Sequence, residues 1–290
     1  KRQEYNPLFL FWLFFLNCSS FLSNMLVDVH CHLTHEYFRD KLDAVLRRAE
    51  NAGVKAIVCS GVNHPTNKEV LALAKKYPLV KASLGLYPLD VLGEIPAEAA
   101  DETGLTRQTG PIDLEEEFKF ILKNREKIVS LGECGMDFQW DKVHHQKQKE
   151  NFEKIIAFAE KLNKPLIIHS RKAELECVEM LESSKLKKII IHCFSGRKHL
   201  IKRAADKGMF FSIPANIVRL QHFQMLTERV DLKQLLTETD APWLSPYSDQ
   251  KNEPAFVIES VKKIAEIKKI TFKEAEEQVW KNYLAVFEKD

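Results

Sequence analysis

An apolar stretch that closes on two histidines, Leu26-Val27-Asp28-Val29-His30-Cys31-His32, sets the pattern for the whole chain. Its apolar residues predict a buried strand over Leu26–His30, and the amphipathic stretch Leu42–Asn51 that follows predicts a helix. Side chains two apart in a strand project from the same face, so His30 and His32 are expected to point together. The stretch thus joins one strand–helix unit to a pair of potential ligands.

This unit recurs along the chain. The predicted strands are Leu26–His30, Lys55–Cys59, Val80–Leu84, Ile128–Leu131, Leu166–His169, Lys188–His192, Met209–Ile213 and Leu235–Thr237. Further predicted helices are Leu114–Asn124, Gln146–Leu162, Ile201–Lys207, Pro254–Lys268 and Thr271–Phe287. Eight alternations predict parallel strands joined by right-handed crossovers. A doubly wound sheet and a (β/α)8 TIM barrel both fit, and the count and the length favour the barrel.

Composition excludes several classes of protein. The chain has 290 residues, of which 45% are hydrophobic, enough for a sizeable core. Its 43 Lys+Arg against 41 Asp+Glu give a net charge of +2, which excludes a strongly basic nucleic-acid coat and an acidic tail. A nuclease with locally concentrated positive charge stays open. Six cysteines without a Cys-x-x-Cys pair predict free thiols and a cytoplasmic location.

The N-terminal segment 1–24 stands apart because Leu8–Leu16 is a run of nine apolar residues. The run is too short to span a bilayer, which takes about 20 residues. It resembles a secretory signal segment, or it is a misassigned upstream extension with translation starting at Met25. We favour the second interpretation because Met25 directly precedes the first predicted strand. We therefore expect one domain over 25–290 and no stable membrane association.

Potential metal ligands collect at the ends of the predicted strands. Besides His30 and His32, they are Glu133, His169, His192 and Asp240. In a barrel the C-terminal strand ends open onto one face, where the active site lies. A single strand-end histidine is more often structural, and Asp240 alone also fits a capping role. The combination is harder to explain by packing, which favours Val, Ile or Leu at such positions.

Four imidazoles and two carboxylates suit two divalent ions better than one ion with an open position. We assign His30, His32, Glu133 and Asp240 to the first ion, and Glu133, His169 and His192 to the second. Glu133 then bridges the ions, and Asp240 is placed to accept a proton from the attacking water. The ligand set suits Zn or Mn by softness, whereas Mg prefers oxygen ligands.

Five motifs contain or adjoin these ligands. They are Val27-Asp28-Val29-His30-Cys31-His32-Leu33, Gly132-Glu133-Cys134-Gly135-Met136-Asp137-Phe138, His169-Ser170-Arg171, His192-Cys193-Phe194-Ser195-Gly196 and Glu238-Thr239-Asp240-Ala241-Pro242-Trp243-Leu244. In this order they resemble the TatD family of metal-dependent deoxyribonucleases among the amidohydrolase-like barrels. The resemblance extends from Met25 to about Phe287 and places the family's metal ligands on the same six positions. It implies Mg or Mn as the working ion and exonuclease action on single-stranded DNA.

The chain departs from the family pattern at Tyr87. The family usually has Gly-x-His-Pro after the third strand, and its histidine faces the substrate phosphate. Here the segment is Gly85-Leu86-Tyr87-Pro88. A tyrosine hydroxyl donates a hydrogen bond but carries no positive charge near pH 7. The departure bears on substrate preference and rate, and it leaves the metal ligands untouched.

Candidate substrate contacts lie next to these motifs. Arg171 and Arg197 are candidates for phosphate contacts, although ion pairs with neighbouring carboxylates fit them equally. Tyr87 is a third candidate. Phe194, like Phe138, Trp140 and Trp243, follows a strand end and suits either stacking on unpaired bases or packing at the barrel rim.

Taken together, these features predict a metal-dependent hydrolase, specifically a deoxyribonuclease with two divalent ions (Mg, Mn or Zn) that cleaves phosphodiester bonds in DNA. The resemblance alone implies that it acts on single-stranded DNA ends. One alternative is hydrolysis of a small-molecule ester, amide or lactone by the same site. A non-catalytic metal-binding or nucleic-acid-binding scaffold is the other, disfavoured because every expected ligand is present. The sequence makes no prediction of the oligomeric state.

Overall fold

The structure is a computed structural model that describes residues 24–93, 104–106 and 110–288. Eight strands form one sheet in sequence order, and each neighbouring pair is parallel. The strands are β1 (Leu26–Cys31), β2 (Val54–Ser60), β3 (Val80–Leu86), β4 (Ile128–Asp137), β5 (Leu166–Arg171), β6 (Ile189–His192), β7 (Phe210–Pro214) and β8 (Leu235–Glu238). The predicted (β/α)8 barrel and all eight predicted strands are confirmed.

Helices alternate with these strands. They are α1 (Leu42–Ala52), α2 (His64–Lys76), α3 (Pro88–Leu92), α4 (Leu114–Lys123), α5 (His145–Leu162), α6 (Glu174–Glu182), α7 (Lys198–Asp206), α8 (Gln221–Arg229), α9 (Val257–Lys268) and α10 (Phe272–Phe287). The six helices that the sequence analysis singled out are present. Local sequence features mark the start of α2. Asn63 caps the helix by accepting a hydrogen bond from the Thr66 N–H, and a proline lies in its first turn.

The prediction for residues 1–24 lies outside the described residues, except for Asn24. Within the described part of the chain, no helix is both long enough and apolar enough to cross a membrane.

Two layers of side chains determine where the site lies. One apolar cluster joins residues of five strands to α10 and includes Val27, Val58, Ile167, Ile190, Leu236, Val279, Tyr283 and Val286. Two residues further along four of these strands, the side chains become polar: Ser60, His169, His192 and Glu238. Because side chains two apart in a strand share a face, the polar layer follows directly on the apolar one. The C-terminal strand ends therefore present polar groups above a packed floor.

The first and last strands meet through backbone hydrogen bonds just beyond the end of β8. The N–H of Asp240 donates to the carbonyl of His30 at 2.9 Å, and the N–H of His32 donates to the carbonyl of Ala241 at 2.9 Å. These bonds place Asp240 beside the histidine pair. The seam that closes the barrel thus also assembles part of the site.

A buried carboxylate strengthens this seam. Asp28 is fully buried, and its two oxygens accept hydrogen bonds from the N–H of Thr239 at 2.9 Å and from its hydroxyl at 2.5 Å. The N–H of His30 points to the same carboxylate at 3.3 Å. Thr237 adds a bond from its hydroxyl to the Val27 carbonyl at 2.7 Å. Side chains and backbone therefore fix the segment that carries Asp240.

We predict that Asp28→Ala lowers the free energy of unfolding by about 2–4 kcal/mol, because it leaves buried donors of Thr239 without an acceptor. Asp28→Asn is the matched control: its amide keeps an acceptor for the N–H, so the loss should be about 1 kcal/mol or less. Urea denaturation of the three proteins measures both values. Equal stability of the alanine variant and the parent would contradict the role of this carboxylate.

Candidate metal centre

Four side chains from β1, β4 and the end of β8 meet at one point. The Nε2 atoms of His30 and His32 lie 3.2 Å apart, which confirms that the two rings point together. Oε2 of Glu133 lies 3.5 Å and 3.4 Å from these two nitrogens. Oδ1 of Asp240 lies 3.6 Å and 3.5 Å from them. Two imidazole nitrogens and two carboxylate oxygens therefore face a common centre.

A second group shares Glu133. Its other oxygen, Oε1, lies 2.7 Å from Nδ1 of His169 and 3.1 Å from Nε2 of His192. These two nitrogens are themselves 3.2 Å apart. The groups are contiguous, because donor atoms of His30, His192 and Asp240 also lie within 4.8 Å of one another. Glu133 thus stands between two sets of nitrogen donors.

Glu133 reaches this position through a bulge in β4. The prediction that it ends the fourth strand is corrected, since β4 continues to Asp137. From Leu131 to Cys134 the strand advances three residues while β5 advances two. Gly132 and Gly135 flank the glutamate with φ of 137° and 144°, and a Cβ on either would lie 2.6 Å or 2.0 Å from a carbonyl oxygen of β5. Glycine is therefore required on both sides of the glutamate.

Three of the four imidazoles are oriented by hydrogen bonds on the nitrogen that faces away from the cluster. The hydroxyl of Ser60 lies 3.1 Å from Nδ1 of His30, and the Ser60 carbonyl lies 3.2 Å from Nδ1 of His32. Oδ2 of Asp137 lies 3.0 Å from Nε2 of His169. Outer partners of this kind fix the ring orientation of metal-binding histidines.

The fourth imidazole, His192, lies beside a buried carboxylate. Oε2 of Glu238 is 3.8 Å from Nδ1 of His192. Glu238 is itself held by the hydroxyl of Ser212 at 2.5 Å and by the N–H of Cys193 at 2.9 Å. No role for Ser60, Asp137 or Glu238 was predicted from the sequence. For two of these residues the sequence position was the available indication: Glu238 precedes a predicted ligand by two residues, and Asp137 lies within the Glu133 motif.

The carboxylates of the cluster favour positive charge close to them. Burial lowers the pKa of His32, but hydrogen bonds to Asp240 and Glu133 outweigh it and raise this pKa to about 10. Burial also opposes the charge of His192, yet the neighbouring Glu133 raises its pKa well above the ordinary value. Despite burial, the imidazoles hold the pKa of Glu133 well below its ordinary value. His30, buried beside other imidazoles, has a lowered pKa.

The donor set therefore fits divalent metal ions. A buried carboxylate, a partly buried one and four buried imidazoles converge here. Histidine nitrogen and carboxylate oxygen are common ligands of Zn and Mn.

Two cavities meet at this cluster, with volumes of about 320 and 300 Å3. The residues that line both are His169, Arg171, His192, Asp240 and Leu244. The first cavity is largely aromatic and apolar, with Tyr87, Leu89, Trp140 and Trp243. The second cavity is lined by Ser170, Glu174, Ser195 and Asn216, and also by Leu220 and Phe223. The cluster therefore lies where two cavities join.

The structure places two of the four predicted substrate contacts at these cavities. Arg171 is exposed, lines both cavities and has its guanidinium 5.5 Å from the ring centre of Trp140. Tyr87 lines the aromatic cavity, and its hydroxyl donates to Asp137 at 2.9 Å. Trp243 lies across the same cavity, edge-on to His32 with ring centres 5.2 Å apart.

The other two predicted contacts, Phe194 and Arg197, do not line these cavities. Phe194 is only 1% exposed, packs on Phe211 and is covered by the backbone of Gly196, so its ring does not offer a stacking surface. Arg197 is exposed next to the start of α7 and is not among the described residues that line either cavity. The chain leaves the site once it passes Gly196, which the motif alone did not reveal.

Buried histidines and carboxylates at the C-terminal end of an eight-stranded parallel barrel define a metal-dependent hydrolase. Comparison with known proteins gives the family. The family model described as TatD related DNase matches residues 27–288. The chain belongs to this TatD family.

Individual relatives agree with this assignment. Deoxyribonuclease TATDN3 from Homo sapiens is 32% identical over 269 residues, which cover 91% of this chain and 95% of the relative. The 3′-5′ ssDNA/RNA exonuclease TatD from Salmonella typhimurium is 28% identical and covers 82% and 89% of the two chains. In fold, the crystal structure of the TatD homologue YJJV from Escherichia coli matches with a TM-score of 0.78 at 24% identity, covering 91% of this chain and 98% of that chain.

We predict that metal binding releases protons near pH 7.5. With its pKa at about 10, His32 is protonated at that pH, and it must lose this proton to become a ligand. Affinity for Zn²⁺ or Mn²⁺ should therefore rise with pH towards about 10 and fall as the pH is lowered. Calorimetric titration in two buffers of different ionisation enthalpy measures the proton count. Identical heats in both buffers would contradict the predicted protonation.

Proposed function

We propose that two divalent ions occupy this centre. His30, His32, Glu133 and Asp240 would hold the first ion, and Glu133, His169 and His192 would hold the second. The observation that carries the proposal is the position of Glu133, whose two oxygens face separate nitrogen pairs. A shared carboxylate of this kind is typical of paired metal sites. Mg, Mn and Zn are the candidate ions.

Glu133 and Asp240 take different roles in this proposal. When bound, such ions supply an activated water and neutralise charge that develops on a phosphoryl oxygen. Glu133, with 6% of its side chain exposed, acts as the shared ligand. Asp240, with 15% exposed, lines both cavities and is the better placed to accept the proton of the attacking water. Arg171 also lines both cavities and supplies a cation for phosphate oxygens.

The substrate we propose is DNA with single-stranded ends. Two cavities that join at the cluster suit a chain that continues on both sides of the cleaved bond. Trp140 and Trp243 offer aromatic surfaces on which unpaired bases stack. The names of two relatives, a deoxyribonuclease and a 3′-5′ ssDNA/RNA exonuclease, support this substrate class. We propose that Tyr87 and Arg171 shape the pocket.

We also propose a cytoplasmic location and one hydrolase domain over 25–290. The support for the first is that the five described cysteines are free thiols, four of them buried. The support for the second is the family match over residues 27–288.

We predict that chelation abolishes cleavage of end-labelled single-stranded DNA and that readdition of Mg²⁺, Mn²⁺ or Zn²⁺ restores it. Asp240→Asn should lower the rate about 10²–10⁴-fold, because it removes the proton acceptor. Asp206→Asn is the matched control: this carboxylate is exposed on α7, pairs with Lys202 and should leave the rate unchanged.

Other outcomes separate the alternatives. Protein that binds two ions but cleaves no DNA would contradict the nuclease proposal. If the same sample hydrolyses p-nitrophenyl acetate, the small-molecule hydrolase becomes the better account. If parent and Asp240→Asn bind single-stranded DNA equally and neither turns over any substrate, the protein is a binding scaffold.

A further inference from the structure

A short chain of hydrogen bonds joins Tyr87 to the metal centre. The Tyr87 hydroxyl donates to Oδ2 of Asp137 at 2.9 Å. The same oxygen lies 3.0 Å from Nε2 of His169. On its other side, Nδ1 of His169 lies 2.7 Å from Oε1 of Glu133. Three contacts thus connect the residue that departs from the family pattern to the shared carboxylate.

Asp137, in the middle of this series of hydrogen bonds, is held in place by its other contacts. It is fully buried, and its other oxygen, Oδ1, accepts the N–H groups of Gln139 at 2.8 Å and Trp140 at 2.9 Å. Its own backbone is clamped by Gln148, whose side chain accepts from the Asp137 N–H at 2.7 Å and donates to its carbonyl at 2.9 Å. Oδ2 is left to face Tyr87 and His169.

Tyr87 is equally well fixed. Its N–H donates to the Val62 carbonyl at 2.8 Å, and Pro88 begins α3 directly after it. The ring also meets the ring of His169 edge-on, with centres 5.0 Å apart and planes at 67°. Tyr87 therefore restrains the same imidazole twice, once through Asp137 and once through its ring.

We propose that Tyr87 is a positioning residue for the metal centre: through Asp137 it fixes the orientation of His169 and so controls the affinity of one of the two ions. The hydroxyl has a single proton, and in this arrangement it goes to Asp137. Tyr87 therefore acts on a ligand where the family's histidine faces the substrate phosphate. This inference rests on the proposed dinuclear centre.

The effect should be selective because His169 belongs to one donor group. Its Nδ1 faces Glu133 and His192, whereas the other group is built from His30, His32, Glu133 and Asp240. The histidines of that group are held by Ser60. Loss of the Tyr87 hydroxyl should therefore lower the affinity for one ion and leave the affinity for the other unchanged.

The test is titration of the full chain with Mn²⁺, with unbound ion counted by electron paramagnetic resonance. The parent should bind two ions. Tyr87→Phe keeps the ring and removes the hydroxyl. It should lower the affinity for one ion about 10-fold, which is the lower end of the range for loss of an outer hydrogen-bond partner of a metal ligand. Tyr283→Phe is the matched control: this buried tyrosine stacks on Phe287 in α10, and its loss should leave both affinities unchanged.

A double-mutant cycle separates positioning from general damage. In an Asp137→Asn background, Tyr87→Phe should change the affinity less than twofold, because the hydrogen bond it removes is already disrupted. The inference would be overturned if the effects of the two substitutions on affinity were fully additive. It would also be overturned if Tyr87→Phe left both affinities unchanged, or if it lowered both affinities equally together with the melting temperature. A parent that binds fewer than two ions would overturn the dinuclear proposal itself, and this inference with it.

Discussion

A carboxylate buried among imidazoles is the constraint on which the rest of the site depends. Glu133 is 4% exposed, and removal of a charge from water is costly unless that charge is compensated. His169 and His192 lie close enough to compensate it. Glu133 raises the pKa of His192 and, together with Asp137, that of His169, so positive charge is favoured beside this carboxylate. Divalent ions satisfy the same requirement and add the chemistry of a hydrolase.

Two features of the barrel place the carboxylates of the site: a bulge in β4 and the seam between β1 and β8. In β4 the bulge between Gly132 and Gly135 places Glu133 in the site while the strand continues past it. At the seam, the bond network of Asp28 and Thr239 holds the last strand against the first. Asp240 then follows β8 into the site with a φ of 55°, a left-handed conformation that the seam maintains. The contacts that join the last strand to the first therefore also place Asp240 beside His30 and His32.

Much of this was predictable from the sequence because it depends on the order of apolar runs along the chain. Short apolar runs, each followed by an amphipathic stretch, located all eight strands, and a barrel then brings His30, His32, His169 and His192 to one end. The bulge was not predictable in the same way, since the fourth apolar run ends at Leu131 and leaves Glu133 at the strand end. The burial of Phe194 against Gly196 and the position of Arg197 outside the two cavities depend on tertiary packing, which has no local signal in the sequence. The link from Tyr87 to His169 joins three separate strand ends, so only the assembled barrel reveals it.

The most direct test of this account is anomalous diffraction from crystals of the full chain soaked in Mn²⁺ and, separately, in Zn²⁺. If Glu133 is shared by two ions, two anomalous peaks should lie on opposite sides of its carboxylate, one bordered by His30, His32 and Asp240 and the other by His169 and His192. A single peak, or peaks away from Glu133 in well-occupied crystals, would contradict the shared-carboxylate centre.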